Sequence, residues 1–182
     1  MTQIITQHLF LTGFMGSGKS TIGKNLAKRL NLAFIDTDHR IEKSLGVEIK
    51  DIFREKGEDW FRAYEGDILG ILARTESPSV ISLGGGTLMN PQSVKTVLEL
   101  GILIYIKSSP AEIWKRIRHS TRRPLMRKDG EEWTREEYLE RITALMALRE
   151  TGYAASNLTI DRDGKEVAEI TEMIIQRLNL SA

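Results

Sequence analysis

Short runs of aliphatic, β-branched and aromatic residues punctuate this chain at His8–Thr12, Ala33–Asp36, Ser79–Leu83, Ile102–Lys107 and Asn157–Ile160. Their length and composition predict buried strands. After each run the pattern changes to apolar residues at three- and four-residue spacing. Ile22, Leu26 and Leu30 are an example, and they place one apolar stripe along a helix. Helix starts carry chemical marks. Ser109-Pro110-Ala111-Glu112 offers a cap, a proline at the first helical position and a reciprocal Glu. Thr134–Glu137 and Asp163–Glu166 repeat the capping pattern. Strands that alternate with helices imply right-handed crossovers and a parallel sheet covered on both faces. The expected architecture is a three-layer α/β/α domain with a five-stranded parallel sheet, whose ligands gather at the carboxyl ends of the strands.

Two segments break the alternation. Residues from about 37 to 76 hold two or three helices between the second and third strands, too much for a simple crossover, and read as a helical insertion. Residues 116–133, "RIRHSTRRPLMRKDGEEW", are charged and weakly patterned and read as a mobile lid.

Bulk properties narrow the class. At 182 residues the chain suits a single domain spanning 1–182 with a sizeable core. The 26 basic and 25 acidic residues nearly cancel, so no global field for collecting nucleic acid is expected. With no cysteine there are no disulfides or thiolate metal sites, in keeping with a cytoplasmic setting. No run is long and apolar enough to cross a bilayer, and the first residues lack the pattern of a signal peptide. The expectation is a cytoplasmic monomer without nucleic-acid or membrane partners, although no interface signal is readable either way.

Candidate chemistry begins at "GFMGSGKS", residues 13–20. Gly13, four residues and then Gly18-Lys19-Ser20 form the complete phosphate-loop pattern, placed after a strand and before a helix. Glycines let backbone N–H groups wrap a phosphate chain, and the following helix adds its positive end. Lys19 supplies a point charge, and the Ser20 hydroxyl is a hard oxygen ligand of the kind Mg²⁺ takes. The pattern implies a nucleoside triphosphate with Mg²⁺. A guanine-reading Asn-Lys-x-Asp stretch is missing, and "DILG" at 67–70 falls inside a helical pattern, which argues against a GTPase.

Three stretches supply an acceptor side. "FIDTDHRIE" ends the second strand with Asp36 and Asp38, which alternation would point the same way. As a pair they suit a metal shell and a hydroxyl, while Asp38 alone reads equally as a helix N-cap. "WFRAYE" sets Arg62 and Glu65 at helical i,i+3 spacing beside Trp60 and Phe61. This is either a surface ion pair or a guanidinium fixed as a carboxylate clamp. "VISLGGGTL" puts Gly84, Gly85 and Gly86 at the end of the third strand, where they permit close backbone approach to a ligand.

Taken together, "GFMGSGKST", the "DTD" of "FIDTD", "FRAYE", the triple glycine, "RRPLM" and "RETGY" resemble the shikimate kinases over nearly the whole chain. These are small phosphate-loop kinases of the nucleoside-monophosphate-kinase fold. The resemblance implies ATP-dependent phosphorylation of the 3-hydroxyl of shikimate, on the route to chorismate and the aromatic amino acids.

It also implies residue roles. Gly16, Ser17, Gly18, Lys19, Ser20 and Thr21 would hold the ATP phosphates, and Ser20 with Asp36 would organise Mg²⁺, Asp36 partly through water. Asp38 would hydrogen-bond and help deprotonate the acceptor. Arg62 and Arg149 would clamp its carboxylate, Glu65 would brace Arg62, and Gly84–Gly86 would add backbone contacts. Phe53 and Phe61 would wall the ring, Arg123 would close from the lid over the transferring phosphate, and Arg116 would stack near adenine. Arg162, with Lys165 as the alternative, would contact adenine after the last strand. The lid departs from the family in having Met126 where a second leucine is usual.

From Arg116 to Lys128 there are six basic residues and no acidic one, which fits a lid folding cations over phosphate. Aromatic residues are absent from that run, so stacking on single-stranded nucleic acid is poorly supported. A related kinase for another acceptor, such as gluconate or a nucleoside monophosphate, is the nearest alternative. A non-enzymatic nucleotide-dependent module is the other.

Overall fold

The computed structural model describes residues 5–72, 74, 77–118 and 133–180. Five strands are present among them: β1 (His8–Thr12), β2 (Ala33–Asp36), β3 (Ser79–Ser82), β4 (Gly101–Lys107) and β5 (Leu158–Asp161). They form one sheet in the order β2-β3-β1-β4-β5, and every pairing is parallel. The strands sit where the apolar runs predict them, with ends shifted by a residue at β3, β4 and β5.

Alternation decides which side chain meets which layer. Leu9 and Leu11 of β1 face α1 (Lys19–Leu30) and α8 (Val167–Arg177), packing with Ile22, Leu26, Ile170 and Ile174. Phe10, between them, faces the opposite side with Leu69, Ile81, Val97 and Leu103, under α3 (Ile49–Leu72) and α4 (Pro91–Leu100). A sheet with both faces covered explains strands that read as continuous apolar runs.

The insertion comprises α2 (Thr37–Leu45) and α3, which is broken at Gly57 (φ 83°, ψ 170°). Past the sheet, α5 (Pro110–Ile117), α6 (Arg135–Ala147) and α7 (Glu150–Ala154) follow β4. Phe14, Ile113, Ile117, Ile142 and Leu145 bind α5 and α6 to the phosphate loop. Residues 119–132, including the lid's Arg123 and Met126, lie outside the described residues.

Three capping expectations have different outcomes. Thr134 and Glu137 make a complete reciprocal box at α6. At α5 the Ser109 hydroxyl accepts from the Glu112 N–H, but the Ser109 N–H donates to Asp163, at 2.9 Å, and not to Glu112. Asp163 is thereby diverted from capping α8. That helix starts after Glu166 with no side-chain cap, because Gly164 (φ 72°) turns the chain between them.

Candidate active site

A cavity of about 820 Å³ opens at the carboxyl ends of β1, β2 and β3. That is room for a nucleotide and a small second molecule. Its walls bring together residues far apart in sequence: the phosphate loop, the start of α2, α3, the triple glycine, Arg116, Arg149 and Arg162.

The phosphate loop joins β1 to α1. Gly18 stands at the helix start with φ 94°, a left-handed conformation suited to glycine, so the N–H groups of the first turn are open to an anion. The Lys19 ammonium donates to the Gly13 and Phe14 carbonyls at 2.9 and 3.3 Å, which folds it back over the loop. Gly16, Gly18, Lys19, Ser20 and Thr21 line the cavity. Ser17 does not: it is fully buried beneath the loop, and its hydroxyl has no hydrogen-bond partner among the described residues.

Ser20 donates to the Asp36 carboxylate at 2.6 Å. The other Asp36 oxygen accepts from the His39 N–H at 3.3 Å, making Asp36, not Asp38, the N-cap of α2. The strand therefore passes directly into the helix. Asp38 lies in the helix's first turn, so strand alternation is not what sets the pair together. Both nevertheless line the cavity. Among the described residues no group of three or more His, Cys, Asp or Glu side chains is placed to hold a metal. A hydroxyl and one carboxylate, both oxygen donors, are the donor set that Mg²⁺ takes when phosphates and water complete its shell.

On α3, Arg62 is held from several sides. It donates from Nη1 to Glu65 at 2.9 Å and from Nη2 and Nε to Glu58 at 3.0 and 3.3 Å. Glu65 is 2% exposed, and its second oxygen accepts from the Thr87 hydroxyl at 2.5 Å. The guanidinium carbon lies 5.2 and 5.9 Å from the ring centres of Phe61 and Phe53, which pack 4.8 Å apart. Burial works against the Arg62 cation, but the two carboxylates outweigh it and raise its pKa. Arg62 and both rings line the cavity; Glu65 stands behind Arg62, out of it.

The three glycines have a more specific reason than the sequence offers. A Cβ on Gly84 would collide with the carboxylates of Glu65 and Asp38, and one on Gly85 would lie 3.2 Å from Nη1 of Arg149. On Gly86 it would lie 2.5 Å from Nη2 of Arg62. Each glycine thus makes room for a charged side chain. The Gly84 N–H is taken by the Thr37 hydroxyl at 3.0 Å, so it is not a free donor to a ligand.

Arg149, between α6 and α7, is 5% exposed. Its guanidinium lies 5.1 Å from the centre of the Phe14 ring. Its Nη1 has no hydrogen-bond partner among the described residues. Beside the phosphate loop, Arg116 donates to the Gly16 carbonyl at 3.4 Å, and Arg162 donates to the Lys165 carbonyl at 2.6 Å. Burial, then the nearby Arg116 charge, lowers the Arg162 pKa. Arg162 lines the cavity and Lys165 does not.

Several contributors carry no role in the sequence reading. Glu58 stands four residues before Arg62, a spacing that reads as a helical ion pair. Thr87 directly follows the glycines. Tyr153 ends the quoted "RETGY", yet its contacts depend on which elements meet in space.

The chain matches the family model described as shikimate kinase over residues 15–179. The shikimate kinase of Chlorobaculum tepidum is 42% identical over 171 residues, covering 93% of this chain and 89% of that one. Among solved structures, the shikimate kinase of Acinetobacter baumannii in complex with shikimate superposes with a TM-score of 0.86 at 26% identity, covering 94% and 92% of the two chains. A gluconokinase from Sinorhizobium meliloti, at 18% identity and a TM-score of 0.58 over 97% and 95% of the chains, shares the fold.

Proposed function

The chain belongs to the shikimate kinase family, and we infer that its cavity passes the terminal phosphoryl group of ATP to the 3-hydroxyl of shikimate, giving shikimate 3-phosphate and ADP. One observation supports this reading most: Lys19, Ser20 and Asp36 line the same cavity as Asp38, Arg62 and Arg149. Phosphate chemistry and a two-armed carboxylate grip therefore share one cleft.

Phosphoryl transfer asks little covalent chemistry of a protein; positioning and charge neutralisation carry it. Lys19 and the amides of Gly16–Thr21 hold the phosphates, with Ser17 acting through its backbone beneath the loop. Ser20 and Asp36 are the residues that would hold Mg²⁺, which when bound neutralises charge on the transferring group. Asp38 accepts a hydrogen bond from the attacking hydroxyl and orients it. Arg62 and Arg149 bind the acceptor carboxylate, Phe53 and Phe61 wall its ring, and Gly85 and Gly86 line its floor. Arg116 and Arg162 stand at the nucleobase end. Arg123, on the segment outside the described residues, supplies the lid cation. Replacing it with Ala lowers kcat by about 10²–10³-fold, the cost typical of losing one electrostatic donor to a transition state. The enzyme works as a cytoplasmic monomer of one domain. No helix among the described residues is long and apolar enough to cross a membrane.

The test is ADP release with Mg-ATP and, separately, shikimate, gluconate, AMP or no acceptor. Release that requires shikimate supports the assignment. Release with gluconate or AMP alone would keep the nucleotide site and overturn the roles of Arg62 and Arg149.

A further inference from the structure

Tyr153 belongs to α7 and is 2% exposed. Its ring stacks on Tyr105 of β4, with centres 4.6 Å apart and planes 17° from parallel. Tyr105 is itself 5% exposed, so the stack stands on the sheet interior. The Tyr153 hydroxyl donates to the Gly85 carbonyl at 3.1 Å, across sixty-eight residues of sequence. Arg149 lies one helical turn earlier, and its positive charge acts on the same hydroxyl, working to lower its pKa. Arg149 in turn lies against Gly85, where an added Cβ would be 3.2 Å from Nη1. The hydroxyl and the arginine between α6 and α7 therefore meet the same residue of the glycine turn after β3.

We propose that Tyr153 is a positioning residue for acceptor binding, its hydroxyl fixing Arg149 against the Gly85 turn so that the carboxylate grip is formed before the acceptor arrives. This rests on the reading that Arg149 and the glycine turn belong to the acceptor site.

Three features support a positioning role over simple packing. First, the ring needs no hydroxyl to stack, whereas the Gly85 carbonyl needs a donor. Second, burial raises the Tyr153 pKa, with the Arg149 charge opposing it, so the hydroxyl stays protonated and able to donate. Third, Arg149 keeps a buried Nη1 without a partner among the described residues. A guanidinium in that position depends on neighbours to hold its plane. An aromatic stack based on β4 supplies a rigid reference for a side chain whose own helix, α7, has five residues.

The test is steady-state kinetics with shikimate and Mg-ATP for Tyr153→Phe, Arg149→Ala, their combination, and Tyr105→Phe as a control for packing in the same stack. For Tyr153→Phe the expected result is a rise of about 5- to 30-fold in the shikimate KM, the range for one lost buried hydrogen bond. Its kcat and ATP KM stay within about twofold. The double variant is no worse than Arg149→Ala alone, because the hydroxyl acts through that arginine. Tyr105→Phe leaves the shikimate KM unchanged. If Arg149→Ala raises the shikimate KM and Tyr153→Phe does not, the positioning role is overturned and the acceptor site stands. An equal rise in Tyr105→Phe also overturns it, by assigning the effect to packing. If Arg149→Ala leaves the shikimate KM unchanged, the acceptor-site reading itself fails.

Discussion

Arg62 and Glu65 form a 2.9 Å ion pair in which the carboxylate is buried and the guanidinium reaches the cavity. Thr87 fixes the second oxygen of Glu65, and Glu58 takes another edge of Arg62. The cation is set in place by the protein's own carboxylates, which lowers the ordering cost of binding a ligand. Changing Glu65 to Gln removes the charge that holds Arg62. It should raise the acceptor KM about tenfold or more and leave the ATP KM unchanged, the scale of a charge-assisted hydrogen bond. Steady-state kinetics in both substrates checks the split.

Gly86→Ala tests the same pair from the other side. The backbone there (φ −114°) tolerates a side chain, but a Cβ would lie 2.8 Å from the Arg62 guanidinium carbon. Arg62 cannot yield without lengthening its bonds to Glu58 and Glu65. The variant should stay folded, with a melting temperature within a few degrees of wild type. Its acceptor affinity should fall about tenfold or more. Calorimetric titration with shikimate, beside a thermal melt, separates displacement of Arg62 from loss of fold.

Asp36 makes two contacts, accepting from the Ser20 hydroxyl and from the His39 N–H, and two substitutions separate the proposed Mg²⁺ role from the helix cap. Asp36→Asn keeps an oxygen for the His39 N–H but removes the charge beside Ser20. It should raise the Mg²⁺ concentration needed for half-maximal rate and lower kcat, with stability little changed. Asp36→Ala should add a loss of about 1 kcal/mol from the missing helix cap. A Mg²⁺ titration of rate with urea unfolding of each variant reads both effects.

His8 gives the fold an acid-sensitive point. It is 5% exposed, and its Nδ1 accepts from the Ser79 N–H at 3.2 Å, linking β1 to β3. Burial lowers its pKa. Unfolded, the imidazole titrates near its ordinary value of about 6.5 and binds a proton more readily than in the native state. Stability is therefore unaffected by His8 above that pH and falls as pH drops below it, toward the native pKa. Urea unfolding at about pH 7.5 and about pH 5 should show this loss, and His8→Gln should reduce the pH dependence.

Much of the fold was legible because both layers leave their mark on a strand buried on two faces. The phosphate loop was legible because backbone wrapping needs glycine at fixed spacing. Other features depend on how elements meet. Asp36, not Asp38, caps α2 because β2 runs into the helix without a loop, so strand parity stops applying after Asp36. Asp163 fails to cap α8 because it is drawn to the Ser109 N–H of a different helix. The glycine turn was legible as a place of close approach. Its true neighbours are Glu65, Asp38, Arg149 and Arg62, and they come from elements on either side of it in sequence. The same holds for Tyr153, whose partner Gly85 lies in another layer.

The central claim is that the phosphoryl group goes to one hydroxyl of a carboxylated ring. Phosphorus NMR of the product from Mg-ATP and shikimate tests it most directly. The account predicts ADP with a single new phosphomonoester whose phosphorus couples to the proton on carbon 3. A product phosphorylated at another hydroxyl, or inorganic phosphate alone, would contradict it.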